Sequence, residues 1–339
     1  MSRKKNRIEI IIVSIALIAI YASFFWFKLK EQKLLAATEE PGEEAYHNMI
    51  HYLVSILYAA ALTLPFLLAW VFIKKIRQEP VEFRRKTAKA FIIFTLLLAS
   101  AVVGFQFLIT SPTDNQAQLP LRVILDANGK FFHAMFNESS LAPVFPKSAA
   151  VKNVRVNGSI GMGDDFDPAT WKLNVVKFNP AKTIKDSTDT LHFTIDDIKR
   201  LPKTEVICDF KCVEGWSEVT HWGGVKFSDF IRYYKLGTRS GNAFDFDHQS
   251  DLAQYVGLET PDTTYYVGND MASMIHPQTI LCYEMNGKPL PFDQGAPLRL
   301  IIPTKYGIKN IKRIGNLFFS DTRPRDYWFE RGYDYYSGL

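Results

Sequence analysis

Apolar and polar positions follow two different patterns along this 339-residue chain. Up to residue 110 the apolar residues run together, and residues 10–27, 45–73 and 90–110 contain no Asp, Glu, Lys or Arg. Crossing a bilayer core takes about 20 such residues. The pattern therefore predicts a membrane anchor over residues 1–110, with transmembrane helices at about 10–27, 50–73 and 90–110. Beyond it the runs shorten. Residues 111–150 read as a connector rich in Pro, Ser and Asn, with strand-like pieces at 121–125 and 130–136 around a turn at Asp126-Ala127-Asn128-Gly129. Residues 171–178 alternate as a strand, and Thr194-Ile195-Asp196-Asp197 has the form of a helix start that stops before Pro202. Residues 205–213 form another strand, Ser228 caps a short helix through Tyr234, 298–302 is a β-branched run, and 306–314 reads as a loop entering a strand. Short strands interleaved with short helices, without a regular βαβ period, predict a mixed α+β domain over 151–339. There is no G-x-G-x-x-G or P-loop signature.

Charge follows the same division. The chain carries 40 Lys+Arg and 35 Asp+Glu, a formal net charge of +5. Residues 1–110 hold 14 basic and 8 acidic side chains, leaving 26 and 27 for the remainder. A nucleic-acid binder would place its excess of Lys and Arg on the folded domain, which here is close to neutral, so nucleic acid is not an expected partner. Three cysteines make no disulfide framework.

The basic residues also orient the anchor, since they accumulate on the cytoplasmic side. Arg3, Lys4, Lys5 and Arg7 precede the first span, and seven Lys and Arg between Lys74 and Lys89 fill the second loop. In the first loop Lys28, Lys30 and Lys33 are outweighed by five glutamates. Three crossings then put the domain outside. In a bacterium this is a multi-pass inner-membrane protein with its domain in the periplasm. A signal peptide is the alternative for the first span, although its apolar stretch is longer than an ordinary h-region and no small-x-small cleavage site follows. His47 and His51 lie four apart on one helix face and could ligate haem, but the other two spans contain no facing histidine, so haem is disfavoured.

The chemistry gathers around Cys208-Asp209-Phe210-Lys211-Cys212-Val213-Glu214-Gly215-Trp216-Ser217. A structural zinc site needs four ligands, and this C-x3-C has no second pair. Cys212 stands where a strand runs into a Glu-Gly-Trp turn, a place from which a thiolate could serve a soft-ligand metal; the alternative for any one cysteine is a buried, inert thiol.

At these residues the chain resembles the sulfite oxidase family of molybdopterin-binding oxidoreductases, within it the branch of the periplasmic methionine sulfoxide reductase catalytic subunits. The likeness spans about residues 154–339. It takes in the Cys212-Val213-Glu214-Gly215-Trp216-Ser217 run, Ile275-His276-Pro277-Gln278-Thr279, Tyr283 to Leu290, Gly295-Ala296-Pro297-Leu298-Arg299-Leu300, Lys305 to Lys312, and the ending from Tyr327-Trp328 to Gly332-Tyr333. The resemblance implies molybdenum carried by molybdopterin, held by the pterin dithiolene and one protein thiolate, here Cys212. Cys208 and Cys282 read as structural. The resemblance also implies that Arg299, Lys309 and Lys312 contact the cofactor and its phosphate, and that Asn157 lies near the pterin and metal pocket, with a plain turn role as its alternative. Gln294 occupies a slot where sulfite oxidases have His, so it can donate a hydrogen bond but carries no charge.

The expected reaction is a two-electron oxygen-atom transfer. Sulfite oxidases line their pocket with arginines, whereas Val213, Glu214, Gly215 and Trp216 follow Cys212 here. That composition favours a neutral substrate, a sulfoxide or similar S- or N-oxide, small or protein-bound. Tyr265 and Tyr266 could donate to a substrate oxygen, with packing as the alternative. Three readings stay open: reduction of such an oxide with electrons from a membrane or cytochrome partner, a sulfite-type dehydrogenase passing electrons to a cytochrome c, and a non-catalytic module of the same fold. The soluble part is expected to be monomeric, since no C-terminal β-sandwich follows the cofactor domain. Arg84-Arg85, on the cytoplasmic side of the third span, could direct twin-arginine export of a folded domain or act only as positive-inside charges.

Overall fold

A computed structural model of the chain describes residues 81–135, 140–163, 165–178 and 189–338. The helices expected at 10–27 and 50–73, with His47 and His51, lie outside the described residues. The chain divides into two units, residues 1–109 and 110–339. In the first, helix α1 (Val81–Thr110) contains one stretch, Ile92–Thr110, that is long and apolar enough to cross a membrane. Nineteen residues at about 1.5 Å each nearly match a hydrocarbon core of about 30 Å.

The second unit opens with a correction. A two-strand hairpin, β1 (Thr113–Asp114) with β2 (Ala117–Gln118), leads into a 17-residue helix α2 (Leu119–Met135), where the sequence pattern suggests two strands and a turn. Pro120 is tolerated in a first helical turn. The Asn128-Gly129 pair stays helical because packing overrides its turn preference: a Cβ on Gly129 would come within 2.9 Å of the Tyr336 ring, so only glycine lets the helix lie against that ring.

Two five-stranded sheets follow. β3 (Leu173–Val176), β4 (Thr190–Phe193), β7 (Tyr255–Glu259), β8 (Tyr266–Asp270) and β12 (Asn316–Ser320) form one, in the order β4-β3-β12-β7-β8, with β12 parallel to β3 and the other pairs antiparallel. The other is antiparallel throughout and runs β10-β9-β6-β5 from β5 (Lys203–Lys211), β6 (Ser217–Lys226), β9 (Ile280–Met285) and β10 (Lys288–Pro289), with β11 (Arg299–Ile301) also paired to β9. The mixed α+β class stands. Trp171, Leu173 and Val175 point inward at alternate positions, as the period of two requires.

Helices α3 (Ile195–Lys199), α4 (Phe227–Tyr234) and α5 (Met271–Ile275) connect the strands. Thr194 caps α3 with Asp197 in a reciprocal capping box, as the sequence indicates. Ser228 does not cap α4. That helix begins one residue earlier, and Ser228 is buried within its first turn. One core cluster joins Leu173, Phe230, Leu258, Leu300 and Leu317, and a smaller one packs Cys208, Trp222, Cys282 and Ile301. With both clusters in place, the end of β5 is anchored on a rigid hairpin.

Candidate cofactor site

β5 ends at Lys211, and Cys212 is the next residue. The chain reverses there through two main-chain bonds: Gly215 N–H donates to the Cys212 carbonyl at 3.1 Å, and Cys212 N–H donates to the Trp216 carbonyl at 2.9 Å. Gly215 has φ +88°, a left-handed geometry that glycine adopts without a Cβ clash. This tight turn, closed by the β5–β6 ladder, fixes the direction of the Cys212 side chain. Its Sγ accepts from Asn157 Nδ2 at 3.6 Å. The other two cysteines are fully buried. Burial pushes both thiols up to about 12, which keeps them protonated and inert. Among the described residues no cluster of three or more His, Cys, Asp or Glu could hold a metal ion, so an ion at Cys212 would draw its remaining ligands from a bound group.

Asn157 belongs to a segment that passes over two cations. Lys312 Nζ donates to the carbonyls of Gly158 and Asp293, each at 3.1 Å. Gln294 Nε2 donates to the carbonyls of Val154 and Arg155, and its side-chain oxygen accepts from Arg299 Nη1 at 3.0 Å. Arg299 is 3% exposed, stacks 4.7 Å from the Trp222 ring centre, and also donates to the Gln294 and Asn310 carbonyls. Desolvation lowers its pKa to about 10. The Lys312 ammonium is brought down to about 8, chiefly by desolvation and then by repulsion from Arg299, with Asp293 opposing.

These residues fit an anionic cofactor on the structure's own terms. Two cations repel each other, are hydrogen-bonded mainly to neutral carbonyls and one amide, and among the described residues neither forms a salt bridge with a carboxylate. Arg299 Nε is buried with no hydrogen-bond partner among the described residues. A phosphate would supply the missing charge and acceptors.

The fold therefore gathers Cys212, Asn157, Gln294, Arg299 and Lys312 into one connected group. It ties Lys309, Tyr265 and Tyr266 to a different set of partners. The Lys309 ammonium donates to Asp326 at 2.5 Å and to the Gly268 carbonyl at 2.9 Å. Tyr265 donates its hydroxyl to the Ile308 carbonyl at 2.6 Å, and burial pushes its phenol up. Tyr266 donates to Glu330 at 2.5 Å and accepts from Arg325 at 2.8 Å.

Two arginines beside the site escape the sequence reading. Arg155 lies 4.7 Å from the Trp216 ring centre, which brings a positive charge to the Cys212 turn. Glu214 accepts from the same indole at 2.8 Å. Arg313, 1% exposed, is held between the Phe166 and Phe292 rings at 4.4 and 4.2 Å and donates to the Gly163 carbonyl. The signal for Arg155 was its place two residues before Asn157.

Residues 161–328 match the oxidoreductase molybdopterin binding domain family. A chain from Azospira oryzae named for a protein-methionine-sulfoxide reductase subunit is 34% identical over 60% of this chain and 70% of its own length. The protein-methionine-sulfoxide reductase catalytic subunit of Campylobacter jejuni is 30% identical over 50% of this chain, which spans 56% of that relative. The chain thus covers little more than half of that catalytic subunit. Among solved structures, the sulfane dehydrogenase SoxCD of Paracoccus pantotrophus aligns at 16% identity and a TM-score of 0.38 over 55% of this chain and 46% of that one, too loosely to carry an argument.

Proposed function

The chain belongs to the molybdopterin-binding oxidoreductases of the sulfite oxidase family, and from that premise we propose that it is a membrane-anchored periplasmic enzyme that reduces a sulfoxide, methionine sulfoxide in particular. The observation that carries this reading is the Cys212 turn: a thiol at a strand end, held by Asn157 and backed by two cations that form no salt bridge among the described residues. When bound, the molybdenum-pterin group supplies the two-electron oxygen-atom transfer. The protein does the remaining work. Cys212 offers the one thiolate, and the Asn157 amide fixes the direction of its sulfur. Arg299, oriented by Gln294, provides a planar donor for a phosphate, and Lys312 a point charge.

Substrate choice rests on the residues of the turn. Val213, Glu214 and Trp216 present apolar surface and a carboxylate, which suit a neutral sulfoxide better than a dianion. The names of the methionine-sulfoxide relatives support the same substrate class. Arg155 favours a second reading, sulfite oxidation with a cytochrome acceptor, because its guanidinium stacks on Trp216 where an anion would approach. For the location, support comes from the basic second loop before an exposed apolar helix. Electrons would reach the site from a membrane or cytochrome donor.

The test is metal and pterin analysis of the purified chain, followed by turnover with methionine sulfoxide and sulfite in parallel. Cys212→Ser should abolish activity and the thiolate-to-metal absorption, and Cys208→Ser should retain both. Full turnover by Cys212→Ser would overturn the ligand assignment; turnover with sulfite alone would move the reading to the dehydrogenase.

A further inference from the structure

Helix α2 is turned the wrong way round for a helix packed on a soluble domain. Its inward side is polar. Arg122 is 2% exposed and donates to the carbonyls of Asp114, Asn115, Phe329 and Tyr333, while its guanidinium lies 4.2 Å from the Phe329 ring centre. Gly129, seven residues on and therefore on the same face, presses against Tyr336. Asp126, between them, faces Arg323 at 3.8 Å. At about 3.6 residues per turn, Ile124, Ala127, Asn128, Phe131 and Met135 fall on the opposite side. Ile124, Phe131 and Met135 are 63%, 59% and 62% exposed, and Leu121 and Phe132 on the flank are exposed as well. An ordinary amphipathic helix would put these residues in and the arginine out.

The chain path ties the start of this helix to the end of the apolar stretch. The β1–β2 hairpin folds the connection back on itself, so that Leu119 N–H donates to the Pro112 carbonyl at 2.8 Å. Pro112 is two residues past Thr110, the last residue of the apolar stretch Ile92–Thr110. Two residues reach at most about 7 Å. The start of α2 is therefore held, through the chain itself, close to the last residue of that stretch. A helix carrying large apolar side chains on one side and hydrogen-bonding groups on the other, starting a few residues after an apolar stretch of that length, matches an interfacial helix.

We propose that the outward face of α2 is a lipid-docking surface, which seats Ile124, Phe131 and Met135 at the headgroup and acyl boundary of the membrane that α1 crosses. The inference rests on the anchor reading above and adds to it. Arg122 ties the helix to the domain, because two of the carbonyls it holds, those of Phe329 and Tyr333, bracket Glu330, which accepts from Tyr266.

The experiment uses the full chain in phosphatidylcholine vesicles. Cys208, Cys212 and Cys282 are buried, so an environment-sensitive thiol fluorophore can report from Ile124→Cys or Phe131→Cys, with Leu97→Cys in α1 and Asp196→Cys on α3 as references. Lipids carrying a nitroxide near the headgroup should quench the Ile124 and Phe131 labels at least about twofold, lipids with the nitroxide deep in the chain should quench Leu97, and neither should affect Asp196. Quenching of Ile124 and Phe131 by aqueous iodide and not by lipid would overturn the docking while leaving the anchor intact. Shielding from both quenchers would mean that protein covers the face, which also overturns it. A Leu97 label untouched by every lipid quencher would sink the anchor reading itself.

Discussion

Four buried or half-buried cations lie close together in the sequence between Arg299 and Lys312, and the fold surrounds them in two different ways. Lys305 and Lys309 are paired. Lys305 lies 3.3 Å from Asp270 and Lys309 2.5 Å from Asp326, with all four side chains at most 5% exposed. The two acids are themselves saturated: Asp270 caps α5 through Ser273, and Asp326 accepts from Gly268 and Phe329 N–H groups. Arg299 and Lys312, by contrast, meet carbonyls and the Gln294 amide, and the buried Arg299 Nε has no hydrogen-bond partner among the described residues. A buried charge without a counter-charge is costly. The paired group is complete as it stands, whereas the open group is stabilised only when an anion arrives. Sequence places these cations within one short stretch, and only the fold separates the acid-paired lysines from the two cations that meet neutral groups.

The largest effect should come from breaking the closed side. Asp326→Ala leaves the Lys309 ammonium buried without a counter-charge, and we expect a loss of about 3–5 kcal/mol, read as a lower denaturant midpoint by tryptophan fluorescence. Combining Lys309→Met with Asp326→Leu should recover most of it, because the cost lies in the orphaned charge. A loss under about 1 kcal/mol for Asp326→Ala would erase the distinction between the two groups.

The open side should respond in the opposite sense. Arg299→Met keeps the buried stem and removes a charge that no acid compensates, so the domain's stability should change by no more than about 1 kcal/mol. Loss of a planar phosphate donor should nevertheless cut the pterin that copurifies by about tenfold. Fluorescence of the oxidised, extracted pterin measures it. Unchanged pterin content together with a large stability loss would make Arg299 a scaffold residue like Lys309.

The legible part of the site was the part carried by short motifs. Cys212 could be placed at a strand end because the Glu-Gly-Trp turn follows it directly, and Thr194 with Asp197 announced a capping box in four residues. Lys309 shows what a local reading lacks. Its partner Asp326 lies 17 residues further on, and nothing in the Lys305–Lys312 stretch says which lysine meets an acid and which does not. The same holds for Tyr265, whose hydroxyl is used by a carbonyl 43 residues away. Helix α2 is hidden from a local reading for a related reason: Asn128-Gly129 is a strong local turn signal, and the Tyr336 ring that keeps Gly129 helical is more than 200 residues distant in sequence.

The smallest effect, and the one that tests the open side by sign, concerns Lys312 and pH. In the cofactor-free domain its pKa is lowered from the ordinary 10.5 to about 8. Between those two values the unfolded chain holds a proton that the folded chain has released, so folding stability rises with pH across that window and the charged lysine is a burden below it. Because Lys312 is partly open to solvent, the burden is on the order of 1 kcal/mol after screening. Lys312→Met should therefore raise the denaturant midpoint of the cofactor-free protein near neutral pH and flatten the rise above about 8. A bound phosphate reverses the sign, since an adjacent anion favours the ammonium and lifts its pKa. In loaded protein the same substitution should lower stability at neutral pH, and the parent should lose cofactor as pH climbs. Measuring both forms of both proteins across the window settles the matter: if Lys312→Met moves loaded and cofactor-free protein in the same direction, the lysine does not face the anion.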